Sequence, residues 1–434
     1  MRPSSLLLWL IGGWTFIGLG ASFFESHFLL WMLTGVLLGV AALVDLVVLL
    51  AAANVEAKRS APSRMAVGEL QEVELSLHHR HWHPVKVQLF DGLPETVESE
   101  DMPWTGMIPR HKVLRVIYKI KPLQRGPQRF SSAHLLQQSF LGFWMRSARC
   151  AEEQEVKVYP NYEPVIRFSL LAMNNRAAQM GILALNRPGV SKEFHQLRDF
   201  QEGDILSQID WKATSRRLSL ISREYRQQRD QTILFAVDCG RRMRAMDGTL
   251  TQFDHCLNAI LLLAYIAMRQ GDSVGVLGFG GTNRWLAPLK GGHLMPVLLN
   301  HLYDYQTTPE PTDFNEATER LMARQKRRCL VIFLTNLRSE DASHLIVPLQ
   351  MLKRRHVVLV ASLREKEVSE RLRAPVGKLD DALTCAATHL YMEDRNRLFR
   401  DLRDHGILTL DETAGDLPVA LANTYLEIKK EGRL

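Results

Sequence analysis

Cysteine is scarce in this chain of 434 residues, and its few thiols are widely separated. The five cysteines are odd in number, and none of them forms a CxxC pair. This pattern argues against a disulfide framework and against a zinc finger. We interpret them as reduced, mostly buried thiols in a reducing compartment.

Short motifs of common enzymes are also missing. The chain has no GxSxG, no P-loop, no HExxH and no GxGxxG between a strand and a helix. Glycines at Gly278, Gly280 and Gly281 follow an apolar run, but no Lys-Ser/Thr pair comes after them. A nucleotide site is therefore the weaker interpretation of these glycines, and we expect no enzymatic activity and no cofactor.

Strong charge asymmetry is absent as well. The formal net charge of +7 is modest for this length, and Lys and Arg are spread along the chain. No aromatic RNA-binding signature and no long basic tail accompanies them, so we expect no nucleic-acid partner. A membrane surface or an acidic protein fits this charge equally well.

Two apolar runs begin the chain, over residues 6–24 and 29–53, and each approaches the ~20 residues that span a bilayer. The short connection has no Lys or Arg, whereas Arg2 precedes the first run and Lys58 and Arg59 follow the second. The positive-inside rule then predicts a transmembrane hairpin in the inner membrane with both ends cytoplasmic. If the first run is instead a cleaved signal peptide, the second still leaves the large domain cytoplasmic.

Polar and small residues within the second run have two interpretations each. Gly35 and Gly39 form a GxxxG, which favours packing inside the hairpin over a dimer seam. Asp45 is a functional candidate because it is ionisable in a membrane segment. It lies near the cytoplasmic end, so snorkelling or a polar contact within the hairpin explains it equally well.

Alternating apolar and polar residues replace the apolar runs over residues 55–164. Short alternating segments separated by Pro and Gly predict a small β-sandwich. The histidines at 78, 79, 81 and 83 suggest a metal site, but no Cys or carboxylate is placed beside them. A polar strand end is the favoured interpretation.

Continuous apolar strands alternating with helices follow over residues 231–434 and predict an α/β fold with a doubly wound, mostly parallel sheet. Ligands of such sheets bind at the carboxyl ends of the strands. The predicted organisation is a transmembrane helical hairpin over 1–54, a β-sandwich over 55–164, a linker with a charged segment over 165–230, and the α/β domain over 231–434.

The α/β pattern, with an Asp at the end of its first strand, resembles a von Willebrand factor type A domain. That family carries a metal-ion-dependent adhesion site whose first loop reads Asp-x-Ser-x-Ser, with a Thr and an Asp from later loops. Asp238 and Thr312 match two of these ligands. Gly240 and Arg242 stand at the two Ser positions, and Asn336 stands where an Asp is usual.

A guanidinium beside a divalent cation repels it and can replace its charge. We therefore predict a metal-free crevice in which Arg241 or Arg242 pairs with Asp238. Binding of an acidic partner by these arginines is one interpretation, and a purely structural crevice is the other.

The charged segment between residues 193 and 226 carries a second resemblance. Its characteristic positions are Arg198, Gly203, Asp204, Asp210, Trp211, Lys212, Arg216 and Arg217. In this order and spacing they resemble the signature of the bacterial family called "domain of unknown function 58", whose members often have a membrane hairpin, a β-rich segment and a von Willebrand A-like domain. The resemblance implies association with MoxR-type AAA+ ATPases.

Two roles are open for this signature segment. Its acids and bases can form a partly buried ion network with Trp211 as an apolar anchor, which makes the segment a structural clasp. A docking surface is the less favoured role, because ion networks are more often structural.

These observations together predict a non-enzymatic scaffold or adaptor, anchored in the membrane, that binds a protein partner through its von Willebrand A-like domain. The resemblance implies that the partner is a MoxR-type AAA+ ATPase in a chaperone-like or envelope-related process. The alternative is a metal-dependent adhesion or enzyme module that uses the crevice around Asp238.

Overall fold

A computed structural model describes residues 1–21, 25–51, 55–80, 83–110, 112–173, 193–201, 206, 209–226 and 231–434. The chain divides into two compact units, Met1–Tyr159 and Pro160–Leu434. The first combines apolar helices with β-sheets, and the second is a mixed α/β unit.

The first unit begins with two apolar helices, α1 (Ser5–Ala21) and α2 (Glu25–Ala51). Within the described residues, only the segment Phe28–Ala51 is long and apolar enough to cross a membrane, and Ser5–Gly20 is a shorter apolar helix. Trp14 and Trp31 stack at 4.4 Å, and each indole N–H donates to the backbone carbonyl of the other residue. Gly35 contacts the Trp14 ring, as expected for packing between these helices, whereas nothing lies near Gly39.

Strands of the first unit form two mainly antiparallel sheets in the described residues. The strands are β1 Arg2–Pro3, β2 Glu56–Ser60, β3 Arg64–Ala66, β4 Gln71–His78, β5 Val85–Gly92, β6 Val97–Glu100, β7 Trp104–Ile108, β8 Leu114–Pro122, β9 Gly126–Gln138, β10 Trp144–Arg149 and β11 Gln154–Tyr159. One sheet has the order β1-β10-β9-β11-β3, in which β5 also pairs with β9 and β7 pairs with β5, and the other has the order β2-β4-β8-β6. Alternate side chains are buried along the longer strands, which confirms the predicted alternation.

A buried ion pair links the two sheets. Arg59 on β2 binds Asp91 on β5, and the Tyr118 hydroxyl on β8 donates to the same carboxylate. The side chains of Arg59 and Asp91 are 2% and 0% exposed, so the pair is shielded from water. Burial is the main reason why the pKa of Tyr118 is raised, and the charge of Asp91 adds to the effect.

The histidines near residue 80 face backbone atoms. Nε2 of His79 lies 3.1 Å from the carbonyl oxygen of Ile108, and Nδ1 of His83 lies 2.8 Å from that of Pro84. These contacts agree with the predicted polar strand end, and His81 lies outside the described residues.

The second unit contains further strands and helices. Its strands are β12 Glu193–Asp199, β13 Ile221–Arg226, β14 Thr232–Asp238, β15 Met246–Asp247, β16 Leu250–Thr251, β17 Ser273–Phe279, β18 Trp285–Leu289, β19 Leu330–Thr335, β20 Val357–Arg364 and β21 Leu408–Thr413. Its helices are α3 Glu163–Met173, α4 Trp211–Arg217, α5 Gln252–Gln270, α6 Leu294–Leu302, α7 Phe314–Arg324, α8 Ala342–Lys353, α9 Lys366–Arg373, α10 Leu379–Asp404 and α11 Leu417–Lys430.

The central sheet of this unit has the strand order β18-β17-β14-β19-β20-β21. Neighbouring strands from β17 to β21 are parallel, and β18 is an antiparallel edge strand. The apolar runs of β14 and β19 are buried along almost their whole length because helices cover both faces. The predicted doubly wound, mostly parallel arrangement is therefore observed.

Two hydrophobic clusters fill the space on either side of this sheet. One side is covered by α3, α5, α6 and α11, with Phe168 of α3 fully buried against α5. The other side is covered by α7, α8 and the second half of α10. The helices cover the two faces of the sheet and not the ends of its strands. The loops that follow neighbouring parallel strands therefore lie beside one another at one edge of the sheet.

Candidate functional site

The carboxyl ends of β14 and β19 form the centre of the candidate crevice. From β14 the chain continues to β17 on one side and later returns to β19 on the other, so strand order reverses between β14 and β19. Such a reversal opens a crevice in doubly wound sheets. Asp238 is the last residue of β14, and Thr335 is the last residue of β19.

The Asp238 carboxylate accepts hydrogen bonds from neutral groups at the end of β19 and in two loops. The Thr335 hydroxyl donates over 2.6 Å, and the Gly240 N–H donates over 2.8 Å. The Thr312 hydroxyl lies 2.9 Å from both carboxylate oxygens. Asp238 is 0% exposed, so these protein groups replace its water.

Burial raises the pKa of Asp238 above its ordinary value. Hydrogen bonds from Thr335, Gly240 and Thr312, together with the positive charge of Arg242, act in the opposite direction without reversing the shift. The carboxylate is therefore held in place by dipoles, and its charge is not neutralised by a direct ion pair.

Glycine is required beside this carboxylate because the backbone comes so close. A Cβ at Gly240 would lie 2.6 Å from Thr312 Oγ1 and 3.0 Å from Asp238 Oδ1. Gly280, with φ of 80°, lies just as close, since its Cβ would be 2.9 Å from the Gly240 nitrogen. A serine at position 240 would displace the Thr312 hydroxyl.

Arg242 points away from Asp238, so the predicted Arg242–Asp238 pair is wrong. Its Nη1 lies 2.5 Å from Asp341, and its Nη2 lies 3.4 Å from Glu340. The short 3₁₀ helix Arg241–Arg244 directs the guanidinium toward a second 3₁₀ helix, Ser339–Asp341. Arg241 is exposed at the edge of the crevice.

Asn336 follows β19 and is buried, and its amide nitrogen donates to residues other than Asp238. Its Nδ2 donates to Gln252 over 2.9 Å and to Glu365 over 2.7 Å. The residue thereby connects the start of α5 with the end of β20, and this contact is structural.

These donors do not fit a divalent cation. Hydroxyl hydrogens occupy both oxygens of Asp238, and position 240 has no side-chain oxygen. The amide nitrogen of Asn336 is bound to Gln252 and Glu365, and its Oδ1, buried without a hydrogen-bond partner, is left as a single oxygen for a cation. In the part of the chain that the structure describes, no group of three or more His, Cys, Asp or Glu side chains is arranged to hold a metal ion. The Asp238 carboxylate is therefore satisfied by hydrogen bonds from the protein itself.

The signature segment is a β-hairpin that carries a helix. Strand β12 pairs with β13 in antiparallel register, from Glu193 with Arg226 to Asp199 with Ile221. Helix α4 lies between them, and the Asp210 carboxylate caps it by accepting from the N–H groups of Lys212 and Ala213 at 3.0 Å. The signature positions Gly203 and Asp204 lie outside the described residues.

Helix α4 presents its signature side chains to solvent. Trp211 is 67% exposed, so its predicted role as the buried anchor of a clasp is wrong. Leu218, which ends the helix, is 93% exposed and has a φ of 57°. Lys212, Arg216 and Arg217 are exposed as well. We call the exposed residues Trp211, Lys212, Arg216, Arg217 and Leu218 the α4 surface.

Arg395 is a buried residue that sequence reasoning missed. It is 1% exposed and binds Asp411 on β21, the Ser362 hydroxyl and the carbonyl oxygens of Leu337 and Leu363. The only sequence signal is its place on one helix face with Leu398 and Leu402, since neighbouring charged residues of α10 are exposed.

Comparisons with known proteins match the signature and the domain that follows it. A model of the family described as "Protein of unknown function DUF58" matches residues 196–399. The chain is also similar to the uncharacterized protein YeaD of Bacillus subtilis (strain 168), with 22% identity over 390 residues. That match covers 83% of this chain and 92% of YeaD.

Two solved structures are each similar to a quarter of the chain. A native alpha-2-macroglobulin fragment from Escherichia coli is 18% identical over 25% of this chain and 17% of its own, with a TM-score of 0.22. The CARDB domain of the PF1109 protein from Pyrococcus furiosus is 16% identical over 25% of this chain and 90% of its own, with a TM-score of 0.19.

Proposed function

Because the chain belongs to the DUF58 family, whose function is unknown, we propose a function from its own geometry. The protein is a non-enzymatic adaptor that a helical hairpin anchors in the inner membrane. Its α/β unit is a von Willebrand A-like domain on the cytoplasmic side, and the α4 surface of that unit binds a protein partner.

The contacts at the start of the chain support membrane anchoring by a hairpin. Helix α2 has sufficient apolar length, and α1 packs against it through Trp14 and Trp31. Strand β1, before α1, pairs with β10, and the end of α2 also bonds to residues of β10. Both outer ends of the helix pair thus meet the same strand, as a hairpin requires.

Strand order supports the von Willebrand A-like domain. A central β14 flanked by β17 and β19, with helices on both faces, fits the doubly wound sheet on which the resemblance is based. Asp238 and Thr312 meet at the expected strand ends, but their contact is a direct hydrogen bond.

The single observation that carries partner binding is the exposure of Trp211 beside three cationic side chains. Exposed tryptophan is unfavourable in water, and tryptophan is among the residues that contribute most to protein interfaces. Lys212, Arg216 and Arg217 add positive charge around it. This surface is complementary to an acidic segment that carries an apolar side chain.

Leu218 supports the same conclusion through its backbone. A left-handed φ of 57° is unfavourable for a residue with a Cβ, and glycine is the usual residue at this helix end. Its side chain is 93% exposed, so it buries little apolar surface and contributes little to the stability of the folded chain. A leucine at this position is better explained by contact with a partner.

We take the partner to be a MoxR-type AAA+ ATPase, which the resemblance of the signature implies. The test is a binding titration between the full chain in lipid nanodiscs and the purified ATPase of the same organism. Trp211→Ala and Arg216→Glu are each expected to weaken binding at least about tenfold. Arg327→Glu is the matched control, because Arg327 is exposed before the opposite end of β19.

Three outcomes of this titration are distinguishable. Loss of affinity in both α4 variants with the control unchanged supports the proposal. Equal affinity in all four proteins overturns the α4 surface as the binding site. No binding by the wild-type chain removes this ATPase as the partner.

The metal-dependent alternative around Asp238 is tested separately by calorimetry with Mg²⁺ and Mn²⁺. We expect no binding in the millimolar range, because protein hydroxyls already occupy the carboxylate. Binding that Asp238→Asn abolishes without unfolding the chain would restore the adhesion or enzyme module.

A further inference from the structure

The turn between β9 and β10 is fixed to helix α2 by a buried carboxylate. Asp45 of α2 is 2% exposed and accepts from the Ser139 hydroxyl at 2.5 Å, the Leu141 N–H at 2.9 Å and the Phe143 N–H at 3.3 Å. Sequence reasoning expected snorkelling or a contact within the helix pair. The partner of Asp45 is instead a turn of the β-sheet.

Two further hydrogen bonds extend this junction along the helix. The Trp144 indole N–H donates to the carbonyl oxygen of Ala42 over 2.9 Å, and Arg146 donates to that of Leu49 over 3.3 Å. The last three turns of α2 are therefore bound to β10 and the turn before it. The turn cannot change its depth relative to α2 without breaking these bonds.

The turn also carries apolar side chains that are about half exposed, although one face of the Phe140 ring lies 5.0 Å from the His83 ring. Phe140 is 54% exposed and Leu141 is 45% exposed. On α2, Val44 and Val47, close to Asp45, are 54% and 55% exposed. Apolar surface of the turn thus lies at the same level as apolar surface of the helix.

Helix geometry fixes where this level lies in a bilayer. A rise of about 1.5 Å per residue puts Asp45 about 26 Å from Phe28, where the apolar segment begins. A hydrocarbon core is about 30 Å thick. A membrane that contains Phe28 at one boundary therefore has Asp45, and the turn beside it, close to the other boundary.

We propose that the turn Ser139–Phe143 is a second membrane contact, in which Phe140 and Leu141 insert into the interfacial layer of the lipid bilayer beside α2. The proposal rests on the membrane anchoring proposed above. Its occupant is lipid, because the turn continues the surface of the membrane helix itself.

The chemistry of the turn is compatible with this layer. Its backbone is internally bonded, since Gly142 N–H donates to Ser139 at 3.1 Å and Ser139 N–H donates to Trp144 at 2.9 Å. The Asp45 charge is surrounded by donors, which removes the main objection to a carboxylate at this depth. Arg2, on the strand beside β10, is exposed and is available to lipid phosphates.

Spin labels measure this depth directly. Phe140→Cys is labelled in the full chain with Cys150→Ser and Cys385→Ser, because the other three thiols are buried. The chain is reconstituted in vesicles of phosphatidylethanolamine and phosphatidylglycerol, and collisions with oxygen are compared with those of a water-soluble nickel chelate. Ile117→Cys is the control, since Ile117 is 59% exposed on β8 of the other sheet.

The expected result is that oxygen collides with the label at position 140 several times more often than the chelate does, with the opposite order at position 117. Asp45→Ala, in the same labelled chain, is expected to move position 140 toward the value of the control. Vesicle flotation after a urea wash reports separately whether the chain is anchored at all.

The readouts separate the possible failures. A chain that floats but has equal chelate access at 140 and 117 overturns the turn contact and leaves anchoring intact. A label shielded from both oxygen and the chelate means that protein, such as a second copy, covers the turn, which also overturns the proposal. A chain that does not float overturns membrane anchoring and this inference together.

Discussion

The crevice around Asp238 and the α4 surface around Trp211 differ in how their polar and apolar groups are satisfied. Asp238 is 0% exposed and receives hydrogen bonds from Thr335, Gly240 and Thr312 of the same unit. Trp211 is 67% exposed, and cationic side chains surround it. The Asp238 carboxylate finds its hydrogen-bond donors within the chain, whereas the α4 surface leaves apolar and charged groups in water.

This difference reverses the roles that sequence patterns suggest. A degenerate adhesion site with arginines looks like a binding site, and a dense charged signature looks like a structural clasp. In the folded unit, the crevice connects strand ends and the signature helix faces solvent. Substitutions should therefore affect stability in the crevice and partner binding at α4.

Removing the Asp238 carboxylate should give the largest effect. Asp238→Ala leaves the Thr312 and Thr335 hydroxyls and the Gly240 N–H without their acceptor, and each orphaned donor costs about 1 to 3 kcal/mol. We expect a loss of about 3 kcal/mol or more in chemical denaturation. Asp304→Ala is the control, because Asp304 forms a partly exposed pair with Arg284 and should cost less than about 1 kcal/mol. Equal losses would show that Asp238 is not a centre of stability.

Close packing at Gly240 should give the next largest effect. Gly240→Ala brings a Cβ against Thr312 and Asp238, and overpacking of this kind costs about 1 to 3 kcal/mol. Gly292→Ala provides the comparison, since nothing lies within 4 Å of a Cβ there. Denaturation curves of the two variants measure the difference. Coincident curves would mean that the crevice accommodates the added methyl group and is not closely packed.

Protonation of Asp238 should give a smaller, pH-dependent effect. Burial raises its pKa in the folded state above the ordinary 3.8, so the folded chain binds this proton where the unfolded chain has lost it. This proton therefore adds to the free energy of unfolding, and its contribution is fully present below about pH 4. The contribution is lost as pH rises through the pKa of Asp238 in the folded chain, at a slope of at most about 1.4 kcal/mol per pH unit. Urea denaturation from pH 4 to pH 8 should show this slope in the wild type relative to Asp238→Asn. Parallel profiles for the two proteins would contradict the raised pKa.

Apolar patterning explains why much of the fold is predictable. The run Thr232–Asp238 is apolar over most of its length, and it forms β14 at the centre of the predicted mostly parallel sheet. By contrast, β18 and α9 were not predicted, because β18 is a short edge strand that contains Pro288 and α9 has few apolar residues.

Side-chain direction explains why the site is less predictable. Arg242 is two residues from the Asp238–Gly240 loop, yet its partner Asp341 is 99 residues away in sequence. Only the packed loops determine which acid it meets. Trp211 resembles a core residue by type, and its exposure depends on where α4 lies in the hairpin of β12 and β13.

Leucine at the end of α4 should be replaceable by glycine with a small gain in stability. Leu218→Gly removes the steric strain of a left-handed backbone at a residue with a Cβ, but glycine also raises the conformational entropy of the unfolded chain. We expect a net increase of about 0.5 to 1 kcal/mol in the free energy of unfolding. The same variant should bind the partner more weakly. Denaturation and the nanodisc titration measure both effects, and lower stability would show that the side chain serves folding.

Trp211 should give the smallest effect on stability and thereby the sharpest contrast with Asp238. Trp211→Ala removes a side chain that is 67% exposed, and substitutions at such positions usually change stability by less than about 0.5 kcal/mol. Tyr305→Ala is the matched aromatic control, because Tyr305 is 0% exposed beside Phe253 and should cost about 3 to 5 kcal/mol, as other buried aromatic truncations do. Denaturation of both variants decides the point. A loss at Trp211 close to that at Tyr305 would mean that the signature helix is part of the core, and partner binding would then have to be sought elsewhere on the α/β unit.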